Sequence, residues 1–191
     1  SLQRMDEALE QGSLALELDP KNPLVLSLYS TLLKGAKQHE ATLDYVEQAL
    51  AIDPDHSFSQ GQLERALYNA GEYEKALKIQ EASLVSMLGR EKVPDLVSVF
   101  RENGKLDTYR DVVGLYEESF KDREYYPLSM SRHYYRAGAY TKALDVLEIG
   151  YQQRNPNMPY IGTGSRYEVL HDSARFLAIL DNMNLPHPKS P

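Results

Sequence analysis

The chain of 191 residues contains no cysteine and no tryptophan. Without cysteine it cannot form a disulfide, a thiolate nucleophile or a cysteine-based zinc or iron–sulfur site. A cysteine-free chain tolerates oxidising and reducing surroundings alike, so composition leaves its compartment undetermined.

Long apolar runs are also missing. No stretch approaches the roughly 18 apolar residues that a membrane-spanning helix needs. The N-terminus lacks the basic and then apolar segment of a secretory signal. We therefore expect a soluble chain without a membrane span, in either the cytoplasm or the periplasm.

Basic residues are fewer than acidic ones, since the chain has 21 Lys and Arg residues against 28 Asp and Glu residues and a formal net charge of −7. Affinity for nucleic acids comes largely from clustered Lys and Arg. The sequence therefore predicts no direct binding of nucleic acid.

Patterns of catalytic or cofactor chemistry are lacking as well. The five histidines show no i, i+4 pairing and no zinc motif, so we expect no metal site. The Gly-x-Gly of Gly162–Gly164 lacks the third glycine and the preceding strand of a dinucleotide loop. No Gly-x-Ser-x-Gly elbow is present. We expect no cofactor and no enzymatic activity.

Two features, an Asp-Pro dipeptide and a glycine, recur along the chain at a regular spacing. Asp19-Pro20 recurs as Asp53-Pro54, and similar apolar residues precede both dipeptides. Gly71, Gly104 and Gly138 continue the series at nearly the same spacing. The resulting period of about 34 residues is typical of helical repeat proteins.

The period and the residues at fixed places within it resemble the tetratricopeptide repeat. The best copy carries Leu63, Gly71, Tyr73, Ala76 and Ser83 at the places of the family signature. The resemblance implies a half repeat at 1–22 and four copies at 23–56, 57–90, 91–123 and 124–157. In the fourth of these five units Tyr109 and Tyr116 occupy small-residue places, which we expect to push its helices apart.

Residues 158–191 differ from the repeats and are predicted to form a C-terminal capping segment and tail. They resemble the closing segment of repeat domains in bacterial regulators that carry a winged-helix, nucleotide cyclase or Ser/Thr kinase domain. The shared features are an Arg175-Phe176 pair and a terminal Leu185-Pro186.

Helix periodicity supports the same fold independently. Leu63, Ala66, Leu67 and Ala70 recur at the i, i+3, i+4, i+7 spacing of one helix face. Gly71 suits a left-handed helix end, and Pro94 and Pro127 are expected in the first turns of helices. We predict an all-α fold, which the resemblance makes a right-handed superhelical solenoid of antiparallel helix pairs with a capping helix.

In such a solenoid the first helix of each pair lines a concave groove. Projecting the family geometry onto this chain gives a predicted partner-binding lining of basic, aromatic and amide side chains: Lys34, Gln62, Arg65, Tyr68, Asn69, Arg101, Tyr125, Arg132, Tyr135 and Arg136.

This lining is more basic than the acidic chain as a whole. Arginine presents a planar fork to carboxylates and tyrosine a flat surface with a polar tip, so the lining suits an acidic peptide. The alternative is that the arginines pair with neighbours such as Glu64, Asp95 or Glu102. The Lys and Asn residues with which family members hold the terminal carboxylate of chaperone tails are absent, so that partner is disfavoured.

The sequence thus predicts a non-catalytic scaffold that binds a protein or peptide, as the regulatory part of a larger bacterial signalling or transcription-regulator protein. Its start within a repeat suggests a fragment. Two alternatives stay open. One is a self-association module that forms a homodimer, and the other is a sensor of small anions at Tyr125, Arg132, Tyr135 and Arg136.

Overall fold

The computed structural model of the protein describes residues 2–36, 38–124, 127–162 and 167–188, without the side chains of residues 2–4, 39 and 40. Within these ranges the chain is helical and contains no strand. The prediction of an all-α fold is confirmed for the described residues.

Nine α-helices and three short 3-10 helices make up these ranges. The α-helices are α1 (Leu2–Leu18), α2 (Pro23–Gly35), α3 (His39–Ile52), α4 (Ser57–Asn69), α5 (Tyr73–Leu88), α6 (Leu96–Ser119), α7 (Met130–Arg136), α8 (Tyr140–Gln152) and α9 (Ala174–Asn182). The 3-10 helices are Arg90–Lys92, Met158–Tyr160 and Glu168–Leu170. None of the described helices combines the length and the apolar character that crossing a membrane requires.

Side-chain caps set the beginnings of two helices. The Asn22 side chain accepts hydrogen bonds from the backbone N–H groups of Leu24 and Val25, and Pro23 takes the first helical position of α2. Asp95 caps α6 through the N–H groups of Val97 and Ser98. Each cap satisfies N–H groups that have no partner inside the helix.

Three glycines with positive φ mark the predicted turns. The φ angles of Gly71, Gly104 and Gly138 are 82°, 78° and 73°. After Gly71, the N–H of Glu72 bonds the carbonyl of Leu67, and the residue after Gly138 makes the equivalent bond. These 6→1 bonds close the last turn of a helix, and an L side chain at the glycine would be strained.

Gly104 interrupts α6. Its φ of 78° and ψ of 176° are not helical, so α6 consists of two helical segments that meet at a kink. Pro94 precedes the Asp95 cap instead of lying in the first turn as expected. Pro127 likewise lies ahead of α7, whose seven residues begin at Met130.

The chain divides into two compact units, Ser1–Ser83 and Leu84–Pro191. In unit 1, α2 contacts α1, α3 and α4, and α3 also contacts α4. The buried apolar side chains of this unit are Leu26, Leu33, Val46, Ala49, Ala76 and Leu77.

In unit 2, α7 contacts α6 and α8, and α8 contacts α9. Tyr109 and Tyr116, which were expected to push the helices of their repeat apart, are buried in this unit. The Arg175 guanidinium bonds both Glu148 carboxylate oxygens at 2.8 Å and Asp145 at 2.7 Å, which ties α9 to α8. Phe176 is buried beside Tyr167 at a centroid distance of 6.1 Å.

Over 158–162 and 167–188, the part of the closing segment that the structure describes, helix is confined to α9 and two 3-10 turns. Residues 163–166, which include part of the glycine-containing loop, lie outside the described residues. The boundaries of the individual repeats and of the capping segment stay predictions.

Two glycines of α6 provide a matched test of the kink. Gly104→Ala should destabilise unit 2 by about 1–3 kcal/mol, because its φ and ψ fall in a region that is essentially restricted to glycine. Gly114→Ala should stabilise it by about 0.5–1 kcal/mol, because no atom lies within 4 Å of the added Cβ. Urea denaturation measures both, and equal effects of the two substitutions would show that α6 is not kinked at Gly104.

Candidate functional site

A buried polar contact joins α2 to α4 in unit 1. The hydroxyls of Ser27 and Ser59 share a hydrogen bond of 2.6 Å, and both residues are buried. The Ser59 hydroxyl also lies 2.6 Å from Nδ1 of His56. Such a short contact requires two small side chains, so the helices approach closely at this point.

A second bond lies further along the same helices. The Gln62 side-chain amide donates to the Thr31 hydroxyl at 2.6 Å. Since Thr31 follows Ser27 and Gln62 follows Ser59, α2 and α4 lie side by side and run in the same direction. Equivalent helices of successive copies are expected to pack in this way.

Exposed apolar side chains lie beside these hydrogen bonds, in the N-terminal parts of α2 and α4. The exposed fractions are 47% for Leu24, 50% for Leu28 and 37% for Phe58. Leu24, Leu28 and Thr31 follow the i, i+4, i+7 spacing, and Phe58, Gln62 and Arg65 do the same on α4. We call this surface, with Lys34 and Asn69 at its C-terminal end, the α2–α4 face.

The α2–α4 face changes character along its length. It is apolar at Leu24, Leu28 and Phe58, and it becomes polar and basic at Thr31, Lys34 and Arg65. Lys34 and Arg65 are half-buried, as is Tyr68, whose ring meets the Tyr73 ring edge to face at 5.3 Å. Asn69 is exposed.

A buried carboxylate fixes α4 against α5. The Gln80 amide donates to a Glu64 carboxylate oxygen at 2.8 Å, and both side chains are buried. This bond gives the buried Glu64 carboxylate a hydrogen-bond partner. A buried carboxylate without a partner would strongly oppose folding.

Sequence reasoning missed Leu24, Leu28 and Phe58 as surface residues. The repeat period offers a signal for them, because Leu24 lies one period before Phe58 and Leu28 lies one period before Gln62. Conversely, Gln62 was expected to line the open groove but is buried by its bond to Thr31.

The predicted residues of unit 2 occupy different surroundings. Arg101 is exposed near the start of α6. Hydrogen bonds from the backbone and hydroxyl of Ser98 lower the pKa of the Asp95 carboxyl, and the Arg101 charge adds a smaller effect.

On α7, Arg132 and Tyr135 are half-buried. The Tyr135 hydroxyl accepts a hydrogen bond from the backbone N–H of Val169 at 3.2 Å. Its ring meets the Tyr167 ring edge to face at 5.5 Å. Tyr135 therefore helps to hold the closing segment on α7.

Arg136 departs from the expectation that it lines an open groove. Its side chain is buried, and its guanidinium lies over the Tyr109 ring at 5.6 Å. Tyr125, the fourth member of the predicted anion pocket, lies outside the described residues. The pocket predicted for a small anion is therefore not assembled by Arg132, Tyr135 and Arg136 on one open surface.

A carboxylate between α6, α7 and α8 provides a further polar contact. Glu117 accepts hydrogen bonds from the Tyr134 hydroxyl at 2.7 Å and from the Lys142 ammonium at 2.8 Å. Burial raises the pKa of Glu117, but the bonds from Lys142 and Tyr134 outweigh burial and hold the net pKa below its ordinary value.

The cleft beside this carboxylate has a volume of about 270 Å³, and it is lined by Arg110, Val113, Tyr134, Ala137, Gly138, Ala139 and Lys142. Its two cations already face carboxylates, since Arg110 pairs with Asp107 at 2.8 Å and Lys142 pairs with Glu117. Over the described ranges, no group of His, Asp and Glu side chains is arranged to hold a metal ion.

Two comparisons with known proteins bear on this geometry. No protein-family model matches the chain. A stretch of 71 residues is 31% identical to the small glutamine-rich tetratricopeptide repeat-containing protein 2 of Mycosarcoma maydis. That stretch is 37% of this chain and 20% of that relative, so the match spans about a fifth of the relative's length.

The chain fits a tetratricopeptide-like domain. The partial match and the all-helical structure agree on this.

The serine contact between α2 and α4 can be tested with a double-mutant cycle. Ser59→Ala should cost about 1–3 kcal/mol, because it leaves the Ser27 hydroxyl buried without its partner. The double substitution Ser27→Ala with Ser59→Ala should cost less than Ser59→Ala alone, because no hydroxyl is then left unsatisfied. Urea denaturation gives the free energies of unfolding.

Ser57→Ala is the matched control, since Ser57 is exposed on the same helix. It should change stability by no more than about 0.5 kcal/mol. Strictly additive costs at Ser27 and Ser59 would contradict the contact.

Proposed function

We propose that the protein is an interaction module that binds an extended, acidic peptide along the α2–α4 face. The observation that carries this proposal is the exposure of Leu24, Leu28 and Phe58 on two parallel helices that two side-chain hydrogen bonds hold side by side. Peptide-binding grooves combine apolar contacts with a few polar groups that fix the orientation of the peptide.

The chemistry of the peptide follows from the two ends of the face. Apolar side chains of the peptide pack on Leu24, Leu28 and Phe58. Carboxylates of the peptide approach Arg65 and Lys34, whose charges oppose the net charge of −7 of the chain. The rigid pairing of α2 with α4 lowers the conformational entropy lost on binding.

Arg101, Arg132 and Tyr135 of unit 2 are proposed as further partner contacts. Their support is their place in the repeat period and, for Arg101, its exposure. Attachment of the module to a winged-helix, cyclase or kinase domain of a bacterial regulator stays a prediction, which rests on the residues of the closing segment.

Binding can be tested with a peptide selected from a random phage-displayed library. We expect the selected peptides to be rich in Asp and Glu and to contain apolar residues. Leu28→Asp should weaken binding at least about tenfold, since burial of a leucine side chain contributes about 1.5–3 kcal/mol. Fluorescence anisotropy of a labelled selected peptide measures the dissociation constant.

Leu18→Asp is the control, because Leu18 is 88% exposed on α1 and lies outside the α2–α4 face. It should leave peptide affinity unchanged. Arg65→Glu should weaken binding of acidic peptides and reduce the salt dependence of binding. Selection of no peptide, or equal effects at Leu18 and Leu28, would refute the proposal.

A second candidate is self-association through α1. Leu14 and Leu18 are exposed one turn apart on this helix, which could pair with a second copy by a two-fold contact. Sedimentation at several concentrations should then show a dimer that Leu18→Asp abolishes and Leu28→Asp leaves intact. A monomer at every concentration would exclude this candidate.

A further inference from the structure

A histidine in the core of unit 2 has unusual surroundings. His133 of α7 is only 4% exposed. Its ring stacks on the Tyr116 ring of α6 at a centroid distance of 4.3 Å and an interplanar angle of 28°. Among the described residues, Nδ1 of His133 has no hydrogen-bond partner.

The charges nearest to this ring are positive. Arg132 and Arg136 flank His133 on the same helix, and both oppose the protonated form of the ring. From α6, the facing titratable group is Tyr116, and the next residue, Glu117, is hydrogen-bonded to Tyr134 and Lys142. From the closing segment, the Tyr167 hydroxyl bonds Ser131.

In the part of unit 2 that the structure describes, no carboxylate contributes to stabilising an imidazolium at this position. A protonated His133 would be a third cation on one short helix, buried against a tyrosine ring. Burial foremost, and then the charges of Arg132 and Arg136, keep the pKa of the His133 ring well below its ordinary value.

We propose that His133 is an acid-sensitive switch, which holds α7 against α6 while its ring is neutral and releases α7 when the ring takes up a proton. The proposal rests on the packing of unit 2 and does not depend on peptide binding at the α2–α4 face. Since α7 also carries Tyr135, which receives the Val169 backbone bond, its release would also break this contact with the closing segment, while Arg175 keeps α9 on α8.

The sign of the pH dependence follows from linkage. When α7 opens, the ring regains an ordinary pKa of about 6.5 and binds a proton that the closed form excludes. Opening is therefore favoured as the pH falls below about 6.5. The opening constant rises toward tenfold per pH unit until the closed form itself can be protonated.

Hydrogen exchange of the α7 amides in the full chain tests the switch. After correction for the intrinsic exchange rate, the opening constant should increase by about an order of magnitude or more between pH 7 and pH 5. The carboxylates with lowered pKa values, Glu117 and Glu148, titrate below this range.

His133→Phe keeps a ring that can stack on Tyr116 and removes the titrating nitrogen, so the α7 opening constant should become independent of pH over this range. His133→Leu serves the same purpose if the larger ring prevents folding. His171→Phe is the matched control, because His171 is half-buried in the same unit and also stacks on an aromatic ring, that of Phe176 at 5.8 Å. It should keep the pH dependence of the unsubstituted chain.

Nuclear magnetic resonance titration of the histidine rings gives an independent result in the unsubstituted protein. We expect the His133 ring of the closed form to stay neutral at a pH below the ordinary histidine pKa of about 6.5. Protonation of His133 near pH 6.5 without any rise in α7 exchange would overturn the proposal. So would an α7 opening constant that is the same at pH 7 and pH 5.

Discussion

Left-handed backbone at three glycines, spaced about one repeat period apart, is the constraint on which the helix ends before α5 and α8 and the kink of α6 depend. Gly71, Gly104 and Gly138 all take positive φ, where an L side chain would be strained. Each allows a helix to end and the chain to change direction within a few residues. The apolar faces of the helices before and after the turn can then meet. A longer connection would not hold these faces together.

Much of the fold could be predicted from the sequence because these turns leave a periodic signal. The Asp-Pro and glycine spacings locate the turns before and after α4, and the i, i+3, i+4, i+7 pattern predicts α4 itself. Local chemistry accounts for the beginnings of α2 and α6, since Asn22 and Asp95 cap them. Such features depend on neighbours in the sequence, so they require no knowledge of tertiary packing.

The candidate site was less predictable because exposure depends on which side chains meet across helices. Gln62 and Arg136 were predicted to line the groove, yet both are buried, with Gln62 bonded to Thr31 and the Arg136 guanidinium over the Tyr109 ring. Leu28 occupies the same repeat position as Gln62 and is half exposed. The position of a residue within the repeat thus predicts on which side of its helix the residue lies. Whether its side chain is exposed depends on the side chains that it meets on the adjacent helix.

The most direct test of the proposed function is a map of amide hydrogen exchange over the full chain with and without a selected acidic peptide. We expect slower exchange in α2 and α4, where Leu24, Leu28 and Phe58 are covered by the peptide. We expect no change in α1, whose exposed residues Leu14 and Leu18 are not part of the α2–α4 face. Protection confined to α1 or to unit 2, with α2 and α4 unchanged, would contradict binding at the α2–α4 face.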